Sequence, residues 1–288
     1  SQGIVGPTTM KRRAMVVTDL DGTLFQSDRR VSSRNLLTLE ELGAQEVLRV
    51  VATGRNLYSA RKVLDPSFPV DYLIFSSGAG IMDWRSQALL WKSSLDRGQL
   101  ESAFRALSRR GLDFMVHLSI PENHRFLYYP SGRPNPDFAA RCVLYEPFAR
   151  PGDRDSVPLS EACQLLAVEP PPGPAEESVL AELERELSTL RVIRTTSPLD
   201  GKSRWIEVFP PEVSKALAAA WVARQAGVDC SAVMAVGNDF NDLDLLSWAP
   251  HHFVVRGSPA ELRERFPVAD SGGDWDFAEA VTRWRKRA

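Results

Sequence analysis

The sequence has little cysteine, no long apolar run and no excess of charge of one sign. Its three cysteines, Cys142, Cys163 and Cys230, are widely spaced and odd in number, so they predict neither a disulfide framework nor a thiolate metal site. They are typical of a reducing compartment, and we expect a cytoplasmic protein. The 35 Lys and Arg residues nearly balance the 37 Asp and Glu residues, so no global field favours nucleic acid or an anionic membrane as a partner.

Further absences concern membranes and targeting. No apolar run approaches the ~20 residues that a membrane-spanning helix needs. Residues 1–9 lack the basic start and apolar core of a signal peptide, and we interpret residues 1–10 as a leader or tag-like segment. The 288 residues are enough for one large domain or two ordinary ones. An anionic ligand would have to be captured by local groups, and no obligate protein partner is evident.

Short runs rich in Val, Ile and Leu alternate with helical patterns at both ends of the sequence. Continuous apolar strands separated by helices predict a parallel sheet covered on both faces, so the expected fold class is α/β with a doubly wound, mainly parallel sheet. Gly43 and Gly227 are predicted to end two helices, and Ser258 to cap a third. The predicted strands are 14–18, 47–52, 72–75, 232–236 and 253–255, and the helices lie near 36–42, 57–64, 214–226 and 241–248.

The alternation changes between about residues 84 and 198. Strand-like and helical runs mix there, and a proline-rich linker at 170–174 predicts irregular backbone. We therefore expect an inserted α+β domain at 84–198 between two parts of a core domain, 1–83 and 199–288. The predicted strands of the insertion are 112–118, 125–129, 163–168 and 191–194, and its helices are 96–110 and 175–190.

Two carboxylates lie two residues apart where the first apolar strand ends. Alternate side chains of an extended chain lie on the same face, so Asp19 and Asp21 can converge on one point before Gly22 allows a turn. Alone, this pattern is about as consistent with a loop as with a site, because Asp and Gly are ordinary turn residues. As a site, it is suited to a metal ion and phosphoryl chemistry.

Polar groups also follow other predicted strands. In a doubly wound sheet, ligands bind beyond the carboxyl ends of the strands, so these groups are expected to become neighbours. Lys215 opens a helix, where its charge opposes the helix dipole, and this favours a phosphoryl-binding role over a structural one. The groups are Thr53, Gly54 and Arg55 after the second strand, Ser77 and Gly78 after the third, and Asn238, Asp239, Asn241 and Asp242 after the fourth.

This ordered set resembles the haloacid dehalogenase-like (HAD) superfamily, in particular its Cof-type branch with a large α/β cap between the second and third motifs. The resemblance implies a Rossmann-like core with an inserted cap domain. It also implies that Asp19 is a nucleophile phosphorylated during turnover and that Asp21 is the general acid and base. For that role, burial beside other carboxylates is expected to raise the pKa of Asp21. Thr53, Gly54 and Lys215 would then hold the phosphoryl group.

The same resemblance implies a Mg²⁺ cofactor. Its ligands would be the Asp19 side chain, the Asp21 backbone carbonyl and an acid of the fourth motif. Here Asn238 stands where the family usually has the first acid of that motif. Its amide oxygen can still bind Mg²⁺, and either Asp239 or Asp242 could supply the missing charge directly or through water.

Five further residues are candidates for substrate contact or support. Arg55 matches the A-T-G-R form of this branch and is as consistent with an ion pair that braces the site as with substrate contact. Arg125 lies in a stretch of the insertion that could contact a substrate or be a solvated loop. The others are Ser77, Gly78 and Asn241.

These features predict a Mg²⁺-dependent phosphomonoester hydrolase that acts on a small, sugar-like phosphate through a phospho-aspartyl intermediate. The cap would exclude water and select the leaving group. A phosphomutase or phosphotransferase of the same superfamily is the alternative enzyme, because the motifs do not identify the acceptor. A non-catalytic protein that binds a phosphorylated ligand is the alternative from another class.

Overall fold

The computed structural model describes residues 13–157, 159–171 and 178–287. The leader at 1–10 and most of the proline-rich linker lie outside these ranges. Within them, no helix combines the length and apolar character that a bilayer crossing requires.

An eight-stranded sheet forms the first layer of the fold. Its strand order is β14-β13-β12-β1-β2-β3-β4-β5, and neighbours are parallel from β14 to β3, whereas β4 and β5 are antiparallel additions. The predicted α/β class with a doubly wound, mainly parallel sheet is confirmed. The strands are β1 (Arg13–Thr18), β2 (Leu48–Ala52), β3 (Tyr72–Phe75), β4 (Gly80–Asp83), β5 (Ala88–Lys92), β12 (Val228–Gly237), β13 (His251–Val255) and β14 (Val268–Ala269).

Helices cover both faces of this sheet. Alternate residues of β1 lie in different cores: Val16 in one, Met15 and Val17 in the other. The first core includes residues of α1, α2 and α9, and the second includes residues of α6, α7 and α8. These helices are α1 (Ser33–Ala44), α2 (Leu57–Arg61), α6 (Lys215–Ala226), α7 (Leu243–Trp248), α8 (Ala260–Arg265) and α9 (Asp276–Arg287).

A separate six-stranded sheet has the order β10-β11-β9-β6-β7-β8, antiparallel except for the pair β7 and β8. Helices α3 and α5 contribute to the core on one face, and α4 packs on the other. The elements are α3 (Arg97–Arg109), β6 (Asp113–His117), β7 (Phe126–Tyr129), α4 (Pro136–Leu144), β8 (Ala149–Pro151), β9 (Gln164–Glu169), α5 (Leu180–Glu186), β10 (Arg191–Thr196) and β11 (Arg204–Phe209). The last strand of the first sheet before the second sheet ends at Lys92, and the last strand of the second sheet ends at Phe209. Both positions are later than the predicted boundaries, which follow residues 83 and 198. The domain boundaries themselves stay a prediction.

Two of the three predicted helix ends differ from the structure. Gly227 ends α6 in the left-handed conformation, as predicted. Gly43 does not end α1, which continues to Ala44, and its Cα instead lies against the Arg49 guanidinium. Ser258 does not cap α8: Pro259 occupies the cap position, and the Ser258 hydroxyl is buried without a hydrogen-bond partner.

Candidate functional site

Four neighbouring parallel strands, β12, β1, β2 and β3, end at the same edge of the first sheet. Asp19 follows β1, Thr53 follows β2, Ser76 follows β3 and Asn238 follows β12. The sheet topology therefore brings together polar residues that are up to about 220 positions apart in sequence.

Asp19 is a buried carboxylate at this edge, only 7% exposed. Its Oδ1 atom accepts a hydrogen bond from the Leu20 N–H at 2.7 Å and lies 3.3 Å from the Lys215 Nζ atom. Burial raises the pKa of Asp19 well above its ordinary value, and the nearby Asp242 adds to the effect, whereas Lys215 opposes it. The environment of Asp19 thus contains more negative charge than one lysine balances.

Lys215 connects the start of helix α6 to the residues that follow β12. It is the first residue of α6, and Ser214 caps this helix by accepting the Leu217 N–H. The buried Lys215 Nζ atom donates to Asp242 Oδ1 at 2.8 Å. Burial opposes its positive charge, but Asp19 and Asp242 together outweigh burial and raise the pKa of Lys215. Lys215 therefore stays charged between two carboxylates.

Asp21 differs from the sequence expectation. Its side chain is 41% exposed, so the predicted burial beside other carboxylates is wrong. Arg55 holds it in a two-pronged ion pair, with Nε at 2.7 Å from Oδ2 and Nη2 at 2.9 Å from Oδ1. A left-handed turn at Gly22, with φ +75°, follows Asp21 directly. Arg55 therefore braces the site by an ion pair.

The residues after β2 are hydrogen-bonded to one another and to the turn after β3. The Thr53 hydroxyl accepts the Arg55 N–H at 3.0 Å, and the Thr53 carbonyl accepts the Ser77 N–H at 3.0 Å. Gly54 faces the Asn241 amide and the Ser77 hydroxyl. These contacts join the end of β2 to the ends of β3 and β12.

Gly78 allows this turn to approach helix α6. Its φ of +105° is one that side chains rarely permit, and a Cβ atom there would collide with the Ser214 backbone. Because Ser214 immediately precedes Lys215, the fit at Gly78 positions the lysine.

The fourth motif uses its side chains in different ways. Asp242 Oδ2 accepts the N–H groups of Asn238 at 2.9 Å and Asp239 at 3.3 Å, so both of its oxygens have partners. The Asp239 carboxylate lies against β10 of the second sheet, where it accepts the Thr196 N–H at 2.8 Å and hydroxyl at 2.9 Å. The Asn241 Oδ1 atom is buried and has no hydrogen-bond partner in the described part of the chain.

The side-chain atoms near Asp19 include oxygen donors, which are the ligand type that a hard cation such as Mg²⁺ prefers. Within the described ranges, no three or more His, Cys, Asp or Glu side chains form a metal cluster. The carboxylates of Asp239 and Asp242 have hydrogen-bond partners of their own. The Asn238 side chain has no hydrogen-bond partner among the described residues and lies beside the Gly22 backbone. Two carboxylates, Asp19 and Asp242, contact the single ammonium group of Lys215, so a further cation beside Asp19 would be favoured.

Arg125 contacts none of the other candidate residues in the described part of the chain. Its exposed guanidinium pairs with Glu122 at 2.9 Å and lies over the Phe148 ring. In this structure it belongs to the outer surface of the second sheet's loops.

One buried acid near the site was missed by the sequence analysis. Glu207, on β11, is 5% exposed and accepts a hydrogen bond from the Ser77 hydroxyl at 3.5 Å. Burial raises the pKa of Glu207 to about 7, although Arg141, Lys215 and Ser77 lower it. The sequence did contain a sign that Glu207 is buried, because strand alternation puts it on the same face as two large aromatic residues, Trp205 and Phe209.

Comparison with known proteins gives a family match over most of the chain. A family model described as haloacid dehalogenase-like hydrolase matches residues 16–267. A putative phosphatase from Streptococcus pyogenes is 24% identical over 278 residues, which cover 94% of this chain and 97% of the relative. An HMP-PP phosphatase from Serratia proteamaculans is 24% identical over 257 residues, or 86% of each chain.

Solved structures share the fold. A phosphatase of the haloalkanoate (HAD) superfamily from Bacteroides thetaiotaomicron superposes with a TM-score of 0.74 at 20% identity, over 99% of both chains. A sugar phosphatase of HAD subclass IIB superposes with a TM-score of 0.72 at 16% identity, over 94% of this chain and 99% of the other.

Proposed function

The chain belongs to the haloacid dehalogenase-like hydrolase family, and on this premise we propose that it is a Mg²⁺-dependent phosphatase for a small phosphorylated molecule. One observation carries the proposal: a buried carboxylate, Asp19, lies 3.3 Å from a buried lysine at the edge where four parallel strands end. The phosphatase names of several relatives support the same reaction class.

In the proposed reaction, a carboxylate oxygen of Asp19 attacks phosphorus, and the bond from phosphorus to the leaving oxygen breaks. Asp21 donates a proton to that oxygen, and the product alcohol departs. Water then attacks phosphorus of the phospho-aspartate while Asp21 accepts its proton. The bond between phosphorus and Asp19 breaks, which restores the carboxylate and releases phosphate.

Lys215 and Thr53 would hold the phosphoryl group during both steps. A phosphate dianion repels the Asp19 carboxylate, so a fixed positive charge is needed beside it. Asp242 supports this role because its contact of 2.8 Å fixes the Lys215 ammonium group next to Asp19. The Thr53 hydroxyl and Gly54 N–H are donors at the same strand edge.

Arg55 would control the proton-transfer role of Asp21. The two hydrogen bonds of the ion pair orient the Asp21 carboxyl group, which would accept a proton from water in the second step. Donation to the leaving group requires Asp21 to turn away from Arg55. The exposure of the Asp21 side chain leaves room for this rotation.

Mg²⁺ would be held by the Asp19 carboxylate, the Asp21 carbonyl and the Asn238 amide oxygen. When bound, it would supply positive charge that offsets the repulsion between the Asp19 carboxylate and the phosphate. Asp242 would act on the site through Lys215, and Asp239 through its contact with Thr196.

The inserted segment, 84–198 in the sequence analysis, would act as a cap domain that excludes water and selects the leaving group. The similarity to a sugar phosphatase and to an HMP-PP phosphatase favours a small phosphorylated metabolite as substrate. We also propose a cytoplasmic location, since Cys142, Cys163 and Cys230 are all free thiols.

The test is phosphate release from p-nitrophenyl phosphate with and without Mg²⁺. Wild type should turn over only with the metal. Asp19→Asn should fold but lose turnover by about four orders of magnitude, because an amide does not attack phosphorus. Asp155→Asn, an exposed aspartate of the inserted segment, is the matched control and should retain activity. Comparable release by Asp19→Asn and wild type would refute the covalent mechanism.

A further inference from the structure

One face of the second sheet carries polar side chains toward the candidate site. Strand alternation puts His117 of β6, Gln164 of β9 and Glu207 of β11 on the face that α4 partly covers, and the registers His117 to Gln164 and Leu166 to Glu207 place them in adjoining rows. Hydrogen bonds connect this region to the first sheet: Asn123 donates to the Ser76 hydroxyl at 2.7 Å, and Ser77 donates to Glu207.

Arg141 of α4 is a buried cation on this face without an ion-pair partner among the described residues. It is 8% exposed, and its guanidinium carbon lies 4.8 to 5.7 Å from three ring centroids. The rings are those of Phe126, Tyr145 and Trp205. They can stabilise a cation but do not neutralise it.

The obvious helical partner of Arg141 is engaged elsewhere. Asp137 lies four residues earlier on α4, but its oxygens accept the Ser197 hydroxyl and the Trp205 indole N–H, both at 2.7 Å. Glu207 offsets the charge of Arg141 only in part at neutral pH, because burial raises the pKa of Glu207 to about 7. A buried charge that lacks a partner is costly, so Arg141 favours an anion from outside the chain.

Unpartnered hydrogen-bonding atoms accompany this cation. The Arg141 Nε, His117 Nε2 and Asn123 Oδ1 atoms are all buried and have no hydrogen-bond partner among the residues that the structure describes. Burial lowers the pKa of His117 to about 3, and its Nδ1 lies 2.7 Å from the Asn123 carbonyl oxygen. Because a carbonyl only accepts, Nδ1 carries the proton and Nε2 is left as an acceptor. The region thus offers one cation and two acceptors, which suit an anionic group and hydroxyl groups respectively.

The two positive charges act on Glu207 together. Both Arg141 and Lys215 lower its pKa, and Ser77, which contacts Glu207, follows the same strand edge as Asp19. The Tyr145 ring beside Arg141 reaches the first sheet as well, where its hydroxyl accepts the Asn56 amide at 3.1 Å. A ligand with its phosphoryl group at Lys215 would therefore extend its other end toward Arg141.

We propose that Arg141, with His117 and Asn123, forms a subsite for a second anionic group on a hydroxylated leaving group, so that the substrate is a phosphorylated sugar or polyol bearing a carboxylate or a second phosphate. This inference rests on the proposed function and narrows its substrate class. Arg141 determines specificity, and Asp19 performs the reaction.

The experiment compares kcat/KM within two substrate pairs that differ in the added anion. Glucose 6-phosphate against 6-phosphogluconate tests a carboxylate, and fructose 6-phosphate against fructose 1,6-bisphosphate tests a phosphate. For at least one pair, the kcat/KM of wild type should be about 100-fold higher for the member with the additional anionic group. Arg141→Gln should abolish the preference mainly through KM, and Arg141→Lys should restore part of it.

Arg154→Gln is the matched control. Arg154 also lies over an aromatic ring of the same sheet, Phe114, but donates to the Leu112 and Tyr129 carbonyls, so the preference should remain. Equal kcat/KM values within both pairs for wild type would overturn the proposed subsite, and so would the absence of turnover of all four substrates. A preference that survives in Arg141→Gln would do the same. If Arg141→Gln does not fold, the wild-type ratios and Arg141→Lys decide. Failure of the phosphatase assignment is separate, because it appears as absent turnover of p-nitrophenyl phosphate.

Discussion

At the scale of single residues, the site is a set of charges in which one ammonium group contacts two carboxylates. Asp242 is fully buried, and its oxygens bind Lys215 and two backbone N–H groups. The geometry makes Asp242 a positioning residue for Lys215. A buried charge that loses its partner is strongly destabilising, which allows this role to be tested.

Asp242→Asn should lower the free energy of unfolding by about 3 kcal/mol, because Lys215 keeps its burial and loses one of its two counter-charges. Chemical denaturation measures the change. Asp244→Asn is the matched control: its partly buried carboxylate accepts the Ala216 N–H at 3.3 Å, and its loss should cost less than about 1 kcal/mol. Equal losses in the two variants would contradict the assigned role.

Glu207 provides a pH prediction. The pKa of Glu207 is raised from 4.5 to about 7, so the folded protein binds this proton more tightly than the unfolded chain. Its contribution to stability is therefore complete below about pH 4.5 and is lost as the pH rises through about 7.

The unfolding free energy of wild type relative to Glu207→Gln should fall as the pH rises between these values, since glutamine does not titrate. Urea denaturation at intervals of half a pH unit measures the difference. The exposed Glu161→Gln serves as the control for a lost surface carboxylate. A difference that stays constant across the range would mean that Glu207 titrates alike in the folded and unfolded states.

At the scale of elements, the turn after β3 and the start of α6 are fitted to each other through Gly78. Gly78→Ala should lower the free energy of unfolding by about 3 kcal/mol or more, since the positive φ is strained and the new methyl group collides with the Ser214 backbone. Turnover should fall as well, because Lys215 moves with Ser214.

Gly132→Ala separates the strain of a positive φ from the steric collision. Gly132 has a similar φ of +86°, but its missing Cβ would meet open space, so only the strain of about 1 kcal/mol is expected. Thermal and chemical denaturation of both variants, with kcat for each, measure the effects. If the two substitutions cost the same, the close approach at Gly78 has no energetic role.

The first sheet was largely predictable because parallel, buried strands have continuous apolar runs. The same pattern predicted that residues after β1, β2, β3 and β12 would share one edge. It could not assign β11 to the second sheet, because alternation fixes the faces of a strand and not its neighbours. For the same reason, Glu207 was missed: it contacts Ser77 from a strand whose place depends on non-local pairing.

At the scale of the whole molecule, side-chain hydrogen bonds join the second sheet to the first sheet and its strand edge. They include Tyr145 with Asn56 and Thr196 with Asp239, at 3.1 and 2.9 Å. Each such hydrogen bond contributes about 1 kcal/mol, so their loss should favour an open arrangement of the two sheets.

The double substitution Tyr145→Phe with Thr196→Val removes both side-chain hydrogen bonds and keeps the rings and most of the volume. The ratio of open to closed molecules should rise about 30-fold, and small-angle X-ray scattering should give a larger radius of gyration. Tyr128→Phe is the control, since Tyr128 packs on Phe138 within the second sheet. An unchanged radius in the double variant would indicate that these contacts do not hold the sheets together.

The central position of β1 has a consequence for synthesis on the ribosome. One edge of β1 pairs with β2, which follows soon after it, but the other pairs with β12, which begins only at Val228. All strands of the second sheet lie between Asp113 and Phe209 and emerge earlier. A nascent chain therefore has every strand of its second sheet while β1 still exposes an apolar, unpaired edge, and during that interval it is most exposed to aggregation and most dependent on chaperones.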